Sequence, residues 1–280
     1  MTTLEKNLAL LDYCNIRTWW DKGYTGKLGL SVTHERVKTT LKPLEGMVTD
    51  MRTSGNADSH SYYTAMVHRT VLPERKIVCV DTSYSASYAE DGALSVTGPL
   101  VEVTIPWMLQ YKPDVVYRSL AVDSKPADIP DYESVLDFCS FFTSAGNYST
   151  SKYNEYMKLL YWYGVGAMEL KNKTLKASTY TSVYDGVDFA GFGTVYVPST
   201  SGKSVYKFTG TSAAAPWLAG MAGLINELFI DKTGAALPSS KMYELLKAYA
   251  GGASQDKKIG WGLPVLPDPD EIDVKEVLAA

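Results

Sequence analysis

Three stretches of the 280-residue chain combine side chains that hydrolytic chemistry uses. In GTSAAAP, residues 210–216, a glycine lets the backbone turn tightly and a serine follows at the start of a helix-like run. A hydroxyl in that position lies near unpaired backbone N–H groups and the positive end of the helix dipole. The same features describe an ordinary N-cap serine, so Ser212 decides nothing by itself. In DSHSYYTAMV, residues 58–67, His60 opens a second helix-like run, and imidazole is the side chain best matched to moving a proton near neutral pH. In FTSAGNYS, residues 142–149, Asn147 follows a glycine. That pairing suits a turn and also supplies a side-chain amide donor.

Taken in order along the chain, these stretches resemble the signatures of subtilisin-like serine peptidases, the subtilase family. Other segments fit the same frame: GYTGK (23–27) resembles the turn before the family's first core strand, and PDVVYRSLA (113–121) the strand that pairs with extended substrate. VDFAGFGTVYVPS (187–199) resembles the hairpin before the nucleophile, and GWGLPVL (260–266) the closing segment. The resemblance implies a three-layer α/β fold with a mostly parallel central sheet flanked by helices. It implies a catalytic domain over residues 16–266, an N-terminal extension over 1–15 and a C-terminal tail over 267–280. It also implies Ser212 as nucleophile, His60 as general base and Asn147 as oxyanion donor, with Ser119, Leu120, Ala121, Ala145 and Gly146 against the substrate.

One family position is missing. The first strand of a subtilase ends in Asp-Thr-Gly, and KLGLSVTHERV (27–37) contains no aspartate. Aligning the alternating apolar residues Leu28, Leu30 and Val32 puts His34 at the carboxylate position, whereas counting from GYTG puts Glu35 there. With Glu35 the triad is chemically complete, since either carboxylate can orient an imidazole; with His34 the anion is lost. Asp50 and Asp58 are further candidates, Asp58 being better suited to cap the helix that carries His60. Tyr62 and Tyr63 are also bulkier than the small residues that follow the family's histidine. Two functions follow: a serine endopeptidase, or a catalytically impaired pseudopeptidase that binds an extended peptide as a scaffold. An esterase is disfavoured because GTSAA is not the G-x-S-x-G elbow.

Such a constellation needs a rigid frame. KIVCV (76–80), DVVYRSL (114–120) and LGLSV (28–32) read as buried parallel strands, and residues 180–209 as short hairpin strands. SYYTAMVHRTVL, the stretch 98–112, YESVLDFCSFF (132–142) and PWLAGMAGLINELFID (216–231) read as helices, and the tail as an extended segment with a short terminal helix. Alternation of the two types points to an α/β domain with its site at the carboxyl ends of the strands.

Composition narrows the partners. A net charge of −4 gives no basic footprint for nucleic acid. No secretory signal or long uninterrupted apolar run is evident, so no membrane partner and a cytoplasmic location are expected. Three scattered cysteines suit reduced thiols, and no calcium loop is recognisable, so neither metal nor cofactor is expected. The expected partner is a polypeptide.

Overall fold

Short runs rich in Val and aromatic residues, buried on both faces, build the centre of the protein, as parallel strands must when both sides are covered. The computed structural model describes residues 1–35, 37, 40–50, 59–79, 85–88, 94–97, 101–120, 132–152, 154–158, 161–252 and 254–279. The chain begins with α1 (Thr3–Tyr13) and α2 (Ile16–Asp21), then β1 (Ser31–Thr33), β2 (Val48–Asp50), α3 (Ser59–Val71) and β3 (Ile77–Cys79). There follow β4 (Ser85–Tyr88), β5 (Leu94–Thr97), α4 (Val101–Tyr111), β6 (Val115–Arg118), β7 (Ser140–Ser144), β8 (Trp162–Lys171) and β9 (Thr174–Ala177). The last part holds β10 (Val187–Phe192), β11 (Thr194–Pro198), β12 (Val205–Thr209), α5 (Thr211–Thr233), α6 (Ser239–Ala250) and α7 (Val274–Ala279).

The main sheet runs β10-β8-β7-β6-β1-β3-β2 with every neighbour parallel, and β9 adds antiparallel to β8. From β1 the chain crosses to β2 at the sheet edge and steps back to β3 beside β1, then passes to β6 on the other side of β1 and winds the opposite way. That reversal leaves a crevice between the carboxyl ends of β1 and β6, where α/β sheets bind ligands. Alternate residues of each strand serve opposite faces: Val115, Tyr117 and Phe142 join one cluster with α3 and α5, while Val32, Val116 and Phe141 join another with Met108 of α4.

The helix α5 is long and apolar enough by composition to cross a membrane, but it is buried as the core helix under α3 and the sheet. Small residues permit that contact. A Cβ on Gly220 would lie 2.7 Å from Val71 Cβ, so Gly220→Val is expected to lower stability by about 1 to 3 kcal/mol or more, read as a lower urea midpoint. His68 fastens the same corner: Nδ1–H donates to the Pro216 carbonyl at 3.1 Å and Nε2 accepts from Ser31 Oγ at 2.9 Å. Burial pushes its pKa down to about 3, so it is a neutral structural histidine.

Two sequence expectations need correction. Residues 132–142 are not a helix: a single 3-10 turn, Glu133–Val135, leads into β7, because Phe141 and Phe142 are needed on opposite faces of the sheet. The stretch 180–209 does contain an antiparallel hairpin, β11–β12, but β10 joins the main sheet parallel to β8. The N-terminal segment is seated on the domain, with the Asn7 amide paired to both the N–H and the C=O of Tyr196. The start of the tail packs beside it, where Trp19 Nε1 donates to the Pro267 carbonyl at 2.8 Å. The three cysteines are buried, and none forms a disulfide among the described residues.

Asp188 of β10 accepts hydrogen bonds from Gly164 N at 2.8 Å and Tyr243 OH at 3.3 Å, yet burial pushes its pKa up to about 6. The folded state therefore holds this proton more tightly than the unfolded chain does. Stability is highest while the carboxyl is protonated and is lost, by on the order of 2 to 3 kcal/mol, as pH rises from about 4 to about 6. Asp188→Asn is expected to flatten that slope in denaturant titrations across the same window.

Candidate active site

The end of β1 settles which side chain can reach the crevice. In a strand, successive residues face opposite sides, so Ser31, Thr33 and Glu35 share one face while Val32 and His34 share the other. His34 is accordingly buried against Tyr132 and Trp162, with ring centroids 6.2 and 5.4 Å away. Glu35 turns toward α3, helped by its own N–H donating to Thr33 Oγ1 at 3.2 Å. Its carboxylate is 2% exposed: Oε2 lies 3.0 Å from His60 Nδ1, and Oε1 accepts the Ser119 N–H at 2.5 Å. Two strand ends and a helix start thus meet at one carboxylate.

With Nδ1 facing an anion, His60 carries its proton there, and Nε2 is the basic nitrogen. The ring rests edge-on against Phe208 of β12 at 5.6 Å. Tyr62 and Tyr63, expected to crowd the site, do not line its cavity: Tyr62 is buried with its hydroxyl on the Ser199 carbonyl, and Tyr63 stacks on Tyr206 at 4.2 Å.

Ser212 is the second residue of α5 and donates from Oγ to the Ser119 carbonyl at 3.1 Å. Ser144 Oγ donates to the same carbonyl at 3.0 Å. Gly210 caps the helix at φ +134°, and any side chain there would press on the Asn147 amide. Asn147 Oδ1 accepts from both Thr211 N (2.9 Å) and Thr211 Oγ1 (3.0 Å). A backbone N–H can only donate, so the amide orientation is fixed and Nδ2 is left as a donor. The Ser212 N–H, one of the unpaired first-turn donors of α5, has no acceptor among the described residues.

His60, Ser119, Leu120, Ser144, Gly146, Asn147, Tyr148, Thr211 and Ser212 line one cavity of about 190 Å³. A histidine held by a carboxylate, a serine at a helix start and fixed amide donors around one space can carry out acyl transfer. A profile of the Subtilase family matches residues 54–262. The chain belongs to the subtilase family. This subtilase has His60, Asn147 and Ser212 inside the matched stretch, and Glu35 precedes it.

No curated protein sequence matches this subtilase. Among solved structures it is similar to a lanthipeptide protease (16% identity, 96% of this chain and 93% of that one covered, TM-score 0.65). It is similar as well to the prenylagaramide maturation protease PagA (15%, 94% and 97%, 0.66). A third is a psychrophilic subtilisin-like protease from an Antarctic Pseudoalteromonas (13%, 86% and 92%, 0.63). At such identities the likeness is one of fold, and it agrees with the parallel sheet flanked by helices.

The remaining sequence candidates divide. Leu120 and Gly146 line the cavity, whereas Ala145 is fully buried and donates its N–H to the Val165 carbonyl within the sheet. Asp50 lies on β2, two strands from β1 at the sheet edge. Ala121 and Asp58 fall outside the described residues. Thr211, Ser144 and Tyr148 contribute to the site without having been anticipated. Thr211 stood beside Ser212 in the motif, but only the fold reveals that it orients Asn147. Among the described residues no group of three or more His, Cys, Asp or Glu comes together as a metal ion would require.

Proposed function

We propose that this subtilase is an active serine endopeptidase whose triad is Ser212, His60 and Glu35. The observation that carries the reading is the hydrogen bond between the buried Glu35 carboxylate and His60 Nδ1, at 3.0 Å. The impaired, binding-only alternative drew its force from a missing aspartate, and Glu35 supplies a carboxylate in the same role.

In the free protein the Ser212 hydroxyl is occupied by the Ser119 carbonyl. An extended substrate laid along Ser119 and Leu120 offers its own N–H to that carbonyl and releases the hydroxyl toward His60 Nε2. Ser212 Oγ then attacks the scissile carbonyl carbon as His60 takes its proton, and the carbonyl π pair moves onto oxygen. Glu35 stays ionised and stabilises the imidazolium. Asn147 Nδ2 and the Ser212 N–H receive the oxyanion, the side-chain donor contributing about 3 to 4 kcal/mol, the scale known for such asparagines in subtilisins. Collapse expels the amine, protonated by His60, and water repeats the sequence on the acyl-enzyme. Incubation with an unfolded polypeptide, with fragment ends read by mass spectrometry, tests this. New termini are expected with the wild type and none with Ser212→Ala; an intact polypeptide beside folded wild type would count against it.

A further inference from the structure

The catalytic cavity is small. At about 190 Å³ it falls below the roughly 300 to 1,000 Å³ of pockets that enclose a drug-sized ligand. Beyond His60, Ser212, Thr211 and Asn147, its walls are the end of β6 (Ser119, Leu120) and the end of β7 with the loop after it (Ser144, Gly146, Tyr148). His60 hands its proton to the leaving amine, so the leaving half of a substrate lies on the His60 side. On that mechanism the remaining walls of the cavity, the ends of β6 and β7, face the residue that supplies the scissile carbonyl.

The Tyr148 ring bounds that space. A Cβ built on Gly146 would come within 2.8 Å of Tyr148 Cε2 and 2.9 Å of Ser182 Oγ, so the ring lies directly against the Gly146 backbone. The loop beneath it is stitched down by Ser182 N to the Gly146 carbonyl (3.0 Å), Ser149 N to the Tyr180 carbonyl (2.9 Å) and Val183 N to the Thr150 carbonyl (2.8 Å). Lys152 Nζ sits 4.6 Å from the ring centroid. Behind the ring, Ser182 Oγ is fully buried with no hydrogen-bond partner among the described residues. The opposite wall is equally firm, since buried Asn154 donates to Thr143 Oγ1 (2.8 Å) and the Ser144 carbonyl (2.9 Å).

We propose that Tyr148 is the specificity-determining residue of this site, closing the acyl-side pocket so that only glycine, alanine or serine is accepted before the cleaved bond. This rests on the peptidase reading above. The ring lines a cavity of only about 190 Å³, and the loop bonds hold the backbone that carries it.

Two extended peptides differing only in alanine or phenylalanine at that position test it, by kcat/KM in wild type, Tyr148→Ala and Tyr148→Phe. Wild type and Tyr148→Phe are expected to favour alanine by about 100-fold. Tyr148→Ala is expected to raise phenylalanine turnover at least about 30-fold and to lower the alanine-to-phenylalanine ratio of kcat/KM by at least about tenfold. If the alanine variant does not fold, Tyr148→Val is expected to shift the ratio in the same direction. Equal wild-type turnover of both peptides, or an unchanged ratio in a folded small-residue variant, overturns the assignment to Tyr148 alone. No turnover of either peptide by the folded wild type overturns the peptidase reading and this proposal together.

Discussion

Replacing Ser212 with alanine is expected to lower peptide hydrolysis by about 10⁶-fold, and His60→Ala by about the same factor. The double variant should be no slower than either single one. The reason is that the two residues perform one step: without the hydroxyl there is nothing for His60 to deprotonate, and without Nε2 the hydroxyl remains a weak nucleophile. Steady-state rates of the two single variants and the double variant check this. Losses that add would show that the side chains act separately, and the 3.0 Å contact between His60 and Glu35 would then have no catalytic meaning.

The second large effect belongs to Glu35. Glu35→Gln preserves volume and can still hydrogen-bond, but it removes the charge opposite the imidazolium and admits the wrong tautomer of His60. The expected loss in kcat is about 10⁴-fold, the scale seen when the triad carboxylate of a serine protease becomes its amide. Glu35 also holds the Ser119 N–H at 2.5 Å, so the same change loosens the strand end along which substrate is proposed to lie, and KM should rise. His34→Leu separates the two readings of the VTHER turn. It removes a ring buried between Tyr132 and Trp162 and is expected to leave the rate of the folded enzyme unchanged. A rate that falls with His34 and not with Glu35 would reverse the assignment.

That pair of neighbours shows how far the sequence could be read. Ser212, His60 and Asn147 were legible because each sits in a local motif whose spacing is dictated by a helix start or a tight turn. The carboxylate was ambiguous because it depends on strand parity. Leu28, Leu30 and Val32 alternate, and aligning on them selects His34, but Leu30, Val32 and His34 serve the cluster on the side away from α3 and α5. Ser31, Thr33 and Glu35 form the polar alternation, and polar residues at a sheet centre mark the face that meets buried partners such as His68. Read that way, Thr33 and Glu35 were the better guide.

The longer misreadings have physical causes too. β8 was hidden because Gly164 and Gly166 interrupt its apolar run, and glycine in a strand weakens the local signal. Residues 132–142 looked helical because their apolar residues match both periods over so short a stretch. The buried pair Arg75–Asp114, with Nη1 and Oδ1 at 2.9 Å, had no local signature at all, since Arg75 precedes β3 and Asp114 precedes β6, far apart in the chain. Such long-range pairs exist only once the sheet order is set.

Reaction with a fluorophosphonate probe, read by intact mass, is the most direct measurement of whether this triad works. One adduct per chain on the wild type is expected, absent from Ser212→Ala and formed far more slowly by Glu35→Gln. A folded wild type that stays unlabelled, or a label that persists without Ser212, would contradict a working triad of Ser212, His60 and Glu35.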